Sequence, residues 1–323
     1  MIEIFESKIG LKIKSFIEYK RSQGYLYKSR LNYFKQFDRY CLDNGNPELP
    51  TKELLEKFID DKIESINSPY KSWISNFREF TRYLALTNDN YSYILSSKYV
   101  IKHMYSNPYC LTENDISIFF KKCFQLYRYP DSLGKHLTMP IYFLVLYCTG
   151  IRTFEATRLK VSDVHLMGGY FDIVKSKDNR YRRMFLNDDV IDILKDYNHK
   201  IETYHPNRLY FFSFGKDEPI PSATMNLIFK RIWKNASLKK ESGKNPTQYS
   251  FRHHFAIRNI LNWMNNHVNV DAMMPYLMRN MGHASIDTTY YYLHIIPDYF
   301  PEFKDKIKEL ESRIPEVVEY EEV

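Results

Sequence analysis

Apolar side chains recur at helical spacing through the first hundred residues, with short polar breaks between the runs. In residues 28–44, Phe34, Phe37 and Tyr40 repeat every three positions, and the run ends at an Asn-Gly pair that is typical of a helix end. Four helices are predicted, over residues 8–22, 28–44, a run capped by Thr51, and 69–86. Short amphipathic helices bury their apolar faces against one another, so a small helical domain is predicted here.

A second domain is predicted to follow a polar stretch that is rich in Tyr, Ser and Asn, residues 87–110. Beyond this stretch, Thr112 suits a helix cap, and Asp115 completes the capping-box pattern. The predicted organisation is a helical domain, a linker, a second domain and a tail, over residues 1–100, 101–110, 111–296 and 297–323.

Two short runs of strand character interrupt the helices of the second domain. These are residues 170–174 and 181–186, and the polar segment 175–180 is predicted to form the turn between them. Helices are predicted over residues 138–148, 187–198, 222–236, 250–265, 271–281 and 301–312. The predicted fold class is therefore mainly α, with a small β-sheet or hairpin in the second domain.

Charge is distributed unevenly along the chain. The formal net charge is +7, but residues 297–323 hold nine acids and four bases, which leaves a strongly basic remainder. A basic body indicates a polyanionic partner. The acidic tail is expected to make a protein–protein contact, either with a neighbouring protomer or with its own domain.

Several classes of protein are disfavoured by composition. The chain has no apolar run of about 18 residues, as a membrane-spanning helix requires, and its acidic N-terminus is unlike a signal peptide, so a cytoplasmic protein is expected. The four cysteines form no CxxC pair, which argues against a zinc ribbon.

Four stretches carry side chains suited to phosphate chemistry. In the first, Gly150 is followed by Arg152, and Glu155 lies three residues further on, within reach on the same helix face. In the second, Lys177 lies at the tip of the predicted hairpin. Taken alone, the first is more often a surface ion pair and the second a solvated turn.

The third and fourth stretches lie near the end of the second domain. The third contains Arg252 and His253 at a predicted helix start, a position that favours phosphate binding. In the fourth, His283 follows a glycine at a turn, and Tyr292 lies nine residues later. Taken alone, these are ordinary packing or surface side chains.

In chain order, these stretches resemble the catalytic domain of the tyrosine recombinase (phage integrase) family, whose signature is Arg, Lys, His or Lys, Arg, His or Trp, and Tyr. The resemblance covers the chain from about Leu111 to His294, whereas residues 1–100 are similar to the family's helical DNA-binding domain in length and placement only. It implies a site-specific recombinase, or integrase, that serves a mobile element or a chromosomal system.

The resemblance also implies a role for each matching residue. Tyr292 would attack the scissile phosphate and form a 3′-phosphotyrosyl intermediate on the way to a Holliday junction. Arg152 and Arg252 would hold the non-bridging oxygens, and His283 would hydrogen-bond the phosphate. Lys177 would protonate the leaving 5′-oxygen.

Supporting roles and one departure complete the comparison. Glu155 would support the site through Arg152, and His253 matches a position that is usually a supporting one. The chain has Tyr249 where the family usually has His or Lys. A phenol with a pKa of about 10 is a poor base near neutral pH, so Tyr249 is expected to donate a hydrogen bond to the phosphate instead.

The resemblance implies no metal, because two guanidiniums and a histidine stabilise the charge on the phosphate. It also implies no ATP or other cofactor, because one phosphodiester replaces another. The implied partner is double-stranded DNA, held in a C-shaped clamp of two domains. The protein is expected to be a monomer when free and a homotetramer on synapsed DNA.

Three other functions remain open from the residues. A DNA-binding protein that has lost catalysis is suggested by Tyr249, and a type IB topoisomerase shares the chemistry. A metal hydrolase built on His253, His254, His283 and His294 lacks an HExxH motif.

Overall fold

The computed structural model describes residues 5–25, 27, 30–65, 71–88, 90–96, 108–174, 181–238 and 246–311. The chain divides into two compact units, residues 1–106 and 107–323. Of the sequence predictions, the hairpin tip with Lys177 and most of the linker lie outside the described residues. So does the tail beyond residue 311.

Within the described residues, the N-terminal unit contains four helices: α1 (Gly10–Ser22), α2 (Leu31–Asp43), α3 (Lys52–Ser65) and α4 (Lys71–Thr87). Thr51 caps α3, because its hydroxyl accepts a hydrogen bond from the Leu54 backbone N–H at 3.2 Å. The core is a cluster of edge-to-face and tilted aromatic rings. For example, the rings of Phe37 and Phe77 lie 5.0 Å apart.

The segment after α4 belongs to the polar stretch 87–110, but it packs on the N-terminal unit. Tyr91 and Leu95 are buried in the same core as the four helices. The Leu95 backbone N–H donates to the Thr81 hydroxyl at 3.2 Å. These two buried side chains show that the N-terminal unit extends at least to residue 96, although the segment is polar in composition.

Among the described residues, the C-terminal unit contains nine α-helices: α5 (Glu113–Leu126), α6 (Lys135–Thr149), α7 (Thr153–Ala156), α8 (Asp188–Glu202), α9 (Ser222–Asn235), α10 (Ser250–Asn265), α11 (Val270–Met281), α12 (Asp287–Tyr299) and α13 (Lys304–Glu311). At the start of α5, Thr112 and Asp115 form the predicted capping box. A mainly helical chain with a small sheet is thus confirmed.

The sheet has three antiparallel strands in the order β1 (Val164–His165), β2 (Tyr170–Ile173) and β3 (Arg182–Phe185). The two predicted strands are present, but β1 was not predicted, because two residues are too short to show an alternating pattern. Arg182 and Met184 of β3 are buried, whereas Arg183 and Phe185 point to solvent. This alternation places one arginine of the strand in the interior.

The last two helices pack together with α10 and α11 around a third apolar cluster. Phe303 and Ile307 in the predicted tail are buried in this cluster. The tail up to residue 311 therefore packs on its own unit. No helix among the described residues is both long and apolar enough to span a membrane.

Candidate active site

Two glycines shape the backbone around the candidate site. Gly150 ends α6 and Gly282 ends α11, both in the left-handed conformation with φ of +64°. A Cβ on Gly150 would lie 2.5 Å from the Phe255 ring, and one on Gly282 would lie 2.8 Å from Arg182 Nη1. Both positions therefore need glycine for conformation and for space. Both glycine carbonyls accept hydrogen bonds from arginines of the site.

Arg252, near the start of α10, is 1% exposed. Its Nη1 donates to the Gly150 carbonyl and its Nη2 to the Met281 carbonyl, each at 2.6 Å. Its buried Nε has no hydrogen-bond partner among the described residues. Burial lowers the pKa of the guanidinium, which remains a cation because its ordinary value is so high. The buried guanidinium of Arg252 is thus hydrogen-bonded to the C-terminal ends of both α6 and α11.

Glu155 lies between two arginines. Arg152 Nη1 donates to Glu155 Oε1 at 3.0 Å. Arg182 donates to both carboxylate oxygens, at 2.9 and 2.6 Å. Burial alone would raise the pKa of Glu155, but the hydrogen bonds and charges of Arg182 and Arg152 outweigh it and lower the pKa. The carboxylate is therefore ionised and holds two guanidiniums in place.

Sequence reasoning predicted the Arg152–Glu155 contact but missed Arg182. Arg182 is 27 residues from Glu155 in the chain and reaches it only through the folding of β3 onto α7. The available signal was the strand alternation, which points Arg182 to the same side as the apolar Met184. A charged residue in an inward position needs a partner, and that requirement could have indicated a buried carboxylate.

His283 follows the Gly282 turn and is 8% exposed. Its Nδ1 lies 2.8 Å from the Thr289 hydroxyl. Burial, together with the charges of Arg252, Arg152 and the neighbouring Arg182, lowers the pKa of His283 to about 3. The imidazole is therefore neutral at pH 7, and its ring stacks near that of Tyr292, with centroids 6.3 Å apart.

Tyr292, on α12, is 2% exposed, so its ring is covered. Burial raises the pKa of its phenol, while the Arg252 charge acts in the opposite direction. The ring lies between those of His283 and His253, with the His253 centroid 5.8 Å away. The structure therefore brings the predicted nucleophile beside the predicted phosphate-binding residues.

Tyr249 and His253 form the outer edge of the site. Tyr249 is 40% exposed and packs edge-on against His253, with ring centroids 4.9 Å apart. Burial, followed by the Arg252 charge, lowers the pKa of His253 to about 4. His253 Nδ1 is buried and has no hydrogen-bond partner among the described residues. His253 thus presents a neutral imidazole next to Tyr292 at pH 7.

Seven of the eight predicted site residues come together, and the eighth, Lys177, lies outside the described residues. The described part of the site contains the guanidiniums of Arg152, Arg182 and Arg252 around the carboxylate of Glu155. Its histidines are neutral, so the site has an excess of positive charge that suits an anion. No group of three or more His, Cys, Asp or Glu among the described residues is arranged to hold a metal ion.

Comparison with known proteins agrees with this arrangement. The model of the phage integrase family matches residues 114–297, more than half of the chain. The chain therefore belongs to the phage integrase family, the family of tyrosine-type site-specific recombinases.

Relatives align over most of the chain or over its second half. An integrase/recombinase of Sinorhizobium fredii is 24% identical over 292 residues, which cover 90% of this chain and 92% of the relative. Tyrosine recombinase XerD of Staphylococcus saprophyticus is 32% identical over 159 residues, 47% of this chain and 48% of XerD. A lambda integrase tetramer bound to a Holliday junction has a similar fold, with a TM-score of 0.62, 16% identity, and coverage of 88% of this chain and 76% of that one.

Proposed function

We propose that the protein cleaves and rejoins DNA strands at a specific site, with Tyr292 as the nucleophile. The observation that carries this proposal is the convergence of three guanidiniums around a tyrosine in a family of recombinases, with Glu155 as their one carboxylate among the described residues. Attack on a phosphodiester builds negative charge on the non-bridging oxygens. Fixed cationic donors aimed at that charge supply a large part of the rate enhancement.

The proposed reaction exchanges one phosphodiester for another. The Tyr292 oxygen attacks the scissile phosphorus, and its proton passes to water. The bond from phosphorus to the 5′-oxygen breaks, and Lys177 donates a proton to that oxygen. The products are a 3′-phosphotyrosyl link and a free 5′-hydroxyl. Attack by the 5′-hydroxyl of a second duplex reverses the chemistry, and one such exchange produces a Holliday junction.

The other residues of the site would stabilise the phosphate. Arg152 and Arg252 contact the non-bridging oxygens, and neutral His283 donates a hydrogen bond to one of them. Arg252 donates to the backbone carbonyls of Gly150 and Met281 through the same N–H groups that would bind the phosphate. Tyr292 is buried as well. Cleavage therefore requires a local rearrangement in which Tyr292 turns outward and the phosphate replaces at least one carbonyl.

The proposed partner is double-stranded DNA, which the helical N-terminal domain and the catalytic domain would each contact. Binding through backbone phosphates weakens steeply as salt rises. The functional assembly is a homotetramer on two synapsed duplexes, as lambda integrase forms on a Holliday junction. Residues beyond 311, which continue the acidic tail, are proposed to contact a neighbouring protomer.

The test is covalent capture of DNA. The purified protein is incubated with a pool of duplexes that have a randomised core and a central nick, so that the short 5′-hydroxyl fragment diffuses away after cleavage and the adduct is trapped. Adducts that survive denaturing gels are recovered and sequenced, and the selected duplex serves in all later assays. The wild type is compared with Tyr292→Phe and, as a matched control, Tyr291→Phe.

The expected result is an adduct with wild type and Tyr291→Phe, in EDTA as well as without it, and none with Tyr292→Phe. An adduct that persists in Tyr292→Phe would move the nucleophile to a neighbouring tyrosine. Specific DNA binding without any adduct in the wild type would overturn the proposed catalysis and favour a DNA-binding protein that has lost it.

A further inference from the structure

Arg182 makes three directed hydrogen bonds that link separate parts of the site. Two go to the carboxylate of Glu155, at 2.9 and 2.6 Å. The third goes from Nε to the backbone carbonyl of Asn280, at 2.9 Å. Its side chain is 5% exposed. One guanidinium thus connects the helix that carries Glu155 to the turn that precedes His283.

Each end of this connection supports a phosphate-binding residue. Glu155 accepts from Arg152, and the end of α11 places Gly282, whose carbonyl also accepts from Arg152. The two guanidiniums pack closely against Gly282, since a Cβ there would lie 2.8 Å from Arg182 Nη1 and 3.0 Å from Arg152 Nη1. Movement of Arg182 would therefore change the position of Arg152 relative to the turn that carries His283.

The charge of Arg182 also controls the ionisation of Glu155. A buried carboxylate tends to take up a proton, and Glu155 stays ionised because two guanidiniums bind it. Arg182 supplies the bidentate contact with both oxygens, whereas Arg152 supplies one side-chain hydrogen bond. Without Arg182, a larger share of the burial penalty would fall on the remaining pair.

We propose that Arg182 is a positioning residue of the recombination reaction, which sets the distance between Arg152 and His283. This inference rests on the function proposed above. Arg182 touches neither the phosphate nor the nucleophile in this role. It acts through Glu155 and through the Asn280 carbonyl.

The adjacent residue offers a matched control. Arg183 lies on the same strand but on its outer face, and it pairs with Asp172 in a bidentate contact at 2.9 and 3.1 Å. Its side chain is 42% exposed. Arg183→Met therefore removes the same side-chain type and a similar ion pair without reaching the site.

The experiment measures single-turnover cleavage of the selected nicked duplex at saturating protein, from pH 5 to pH 8. The variants are Arg182→Met, Arg182→Lys and Arg183→Met, with wild type and Tyr292→Phe as references. Thermal unfolding of each variant is recorded in parallel.

Arg182→Met is expected to cleave up to about 100-fold more slowly, since a small misplacement of catalytic groups has effects of this size. Its rate is also expected to fall towards pH 5 more steeply than the wild-type rate, because the pKa of Glu155 rises once Arg182 is lost. Adding Glu155→Gln should remove that extra dependence on pH. Arg182→Lys retains the charge but not the bidentate geometry of the guanidinium, so it should cleave at an intermediate rate with the wild-type pH profile. Arg183→Met should match the wild type.

Two outcomes would overturn the inference. One is an Arg182→Met rate equal to that of the wild type. The other is a slower rate with an unchanged pH profile and a lowered unfolding temperature, which would indicate a purely structural side chain. If Arg182→Met does not fold, a wild-type rate in Arg182→Lys would overturn it as well. Absence of a Tyr292-dependent adduct in the wild type would instead refute the proposed function itself.

Discussion

The two units bury different kinds of side chain. In the N-terminal unit, the interior is built mainly from aromatic and aliphatic groups, and the buried Asp38 carboxylate is used locally, where it accepts from the backbone N–H groups of Glu6 and Ser7 at 2.8 and 3.2 Å. In the C-terminal unit, an apolar core is joined by the buried Arg182, Arg252 and Glu155.

The difference lies in charge balance. Asp38 is a lone carboxylate held by neutral donors, whereas in the described part of the C-terminal unit the three guanidiniums of Arg152, Arg182 and Arg252 gather around the carboxylate of Glu155. Burying unmatched charge opposes folding. An arrangement of this kind is explained by a ligand that supplies the missing negative charge, and a DNA phosphate does so. Substitutions in the N-terminal interior are therefore expected to change stability, whereas substitutions in the C-terminal interior are expected to change the cleavage rate as well.

The largest expected effect is on stability in the N-terminal unit. Phe77 contacts the rings of Phe37 and Phe58, at centroid distances of 5.0 and 5.6 Å. Phe77→Ala leaves a cavity and should lower the free energy of unfolding by about 3–5 kcal/mol. Urea unfolding measures this loss. Cleavage at saturating protein, below the unfolding transition, should stay near the wild-type rate.

Phe229 in the C-terminal core is the matched comparison. Its ring lies 5.8 Å from that of Phe251, which directly precedes Arg252. Phe229→Ala should reduce stability by a similar amount and also slow cleavage, because Arg252 loses its support. Equal cleavage rates in the two alanine variants would show that the two interiors do not differ in this way.

The next largest effect is expected from Arg252. Replacing it with Met removes a fixed donor to the phosphate, and loss of one such donor slows cleavage by about 10²–10³-fold. Arg252→Lys should not restore the rate, since an ammonium cannot span both the Gly150 and the Met281 carbonyls. Single-turnover cleavage of the selected duplex measures both variants, and a loss below tenfold in Arg252→Met would contradict the assigned role.

The sequence indicated those parts of the site that depend on local spacing. The Arg152–Glu155 pair follows from a separation of three residues on a helix, and the Thr112 cap from its capping box. By contrast, Arg182 meets Glu155 only after a strand packs on a distant helix. Short-range periodicity contains no information about such a contact.

The fold shows the same division. Most of the long amphipathic helices were predicted to within a few residues, because each has several turns of apolar spacing, but α12, which carries Tyr292, was not predicted. The strand β1 has only two residues and was missed. No element was predicted for the segment with Tyr91 and Leu95, because two apolar side chains among polar residues form no periodic pattern.

A smaller effect is expected from pH. The pKa of His283 is lowered to about 3 by burial and by nearby arginines, whereas an unfolded histidine has a pKa near 6.5. Between these values the unfolded chain binds the extra proton, so stability is full above about pH 6.5 and decreases as pH falls. From pH 7 to pH 5 this residue should account for a loss of about 2 kcal/mol in the free energy of unfolding, at roughly 1.4 kcal/mol per pKa unit.

Urea unfolding of wild type and His283→Asn at both pH values tests this contribution. Asn retains a polar group near the Thr289 hydroxyl but does not titrate. The variant should therefore lose about 2 kcal/mol less than the wild type over the same interval. Identical losses in both proteins would show that His283 titrates normally in the folded state.

The smallest effect is expected at Tyr249, where the chain departs from the usual family residue. Tyr249→Phe keeps the ring that packs on His253 and removes only the hydroxyl. Loss of one hydrogen bond is worth about 1 kcal/mol, so cleavage should slow by less than about tenfold. Tyr249→His, which restores the family residue, should cleave at least as fast as the wild type. A loss in Tyr249→Phe as large as that in Arg252→Met would instead make the Tyr249 hydroxyl essential to proton transfer. The chemistry of this chain would then depend on a group at the exposed rim of the site as strongly as on its buried arginine.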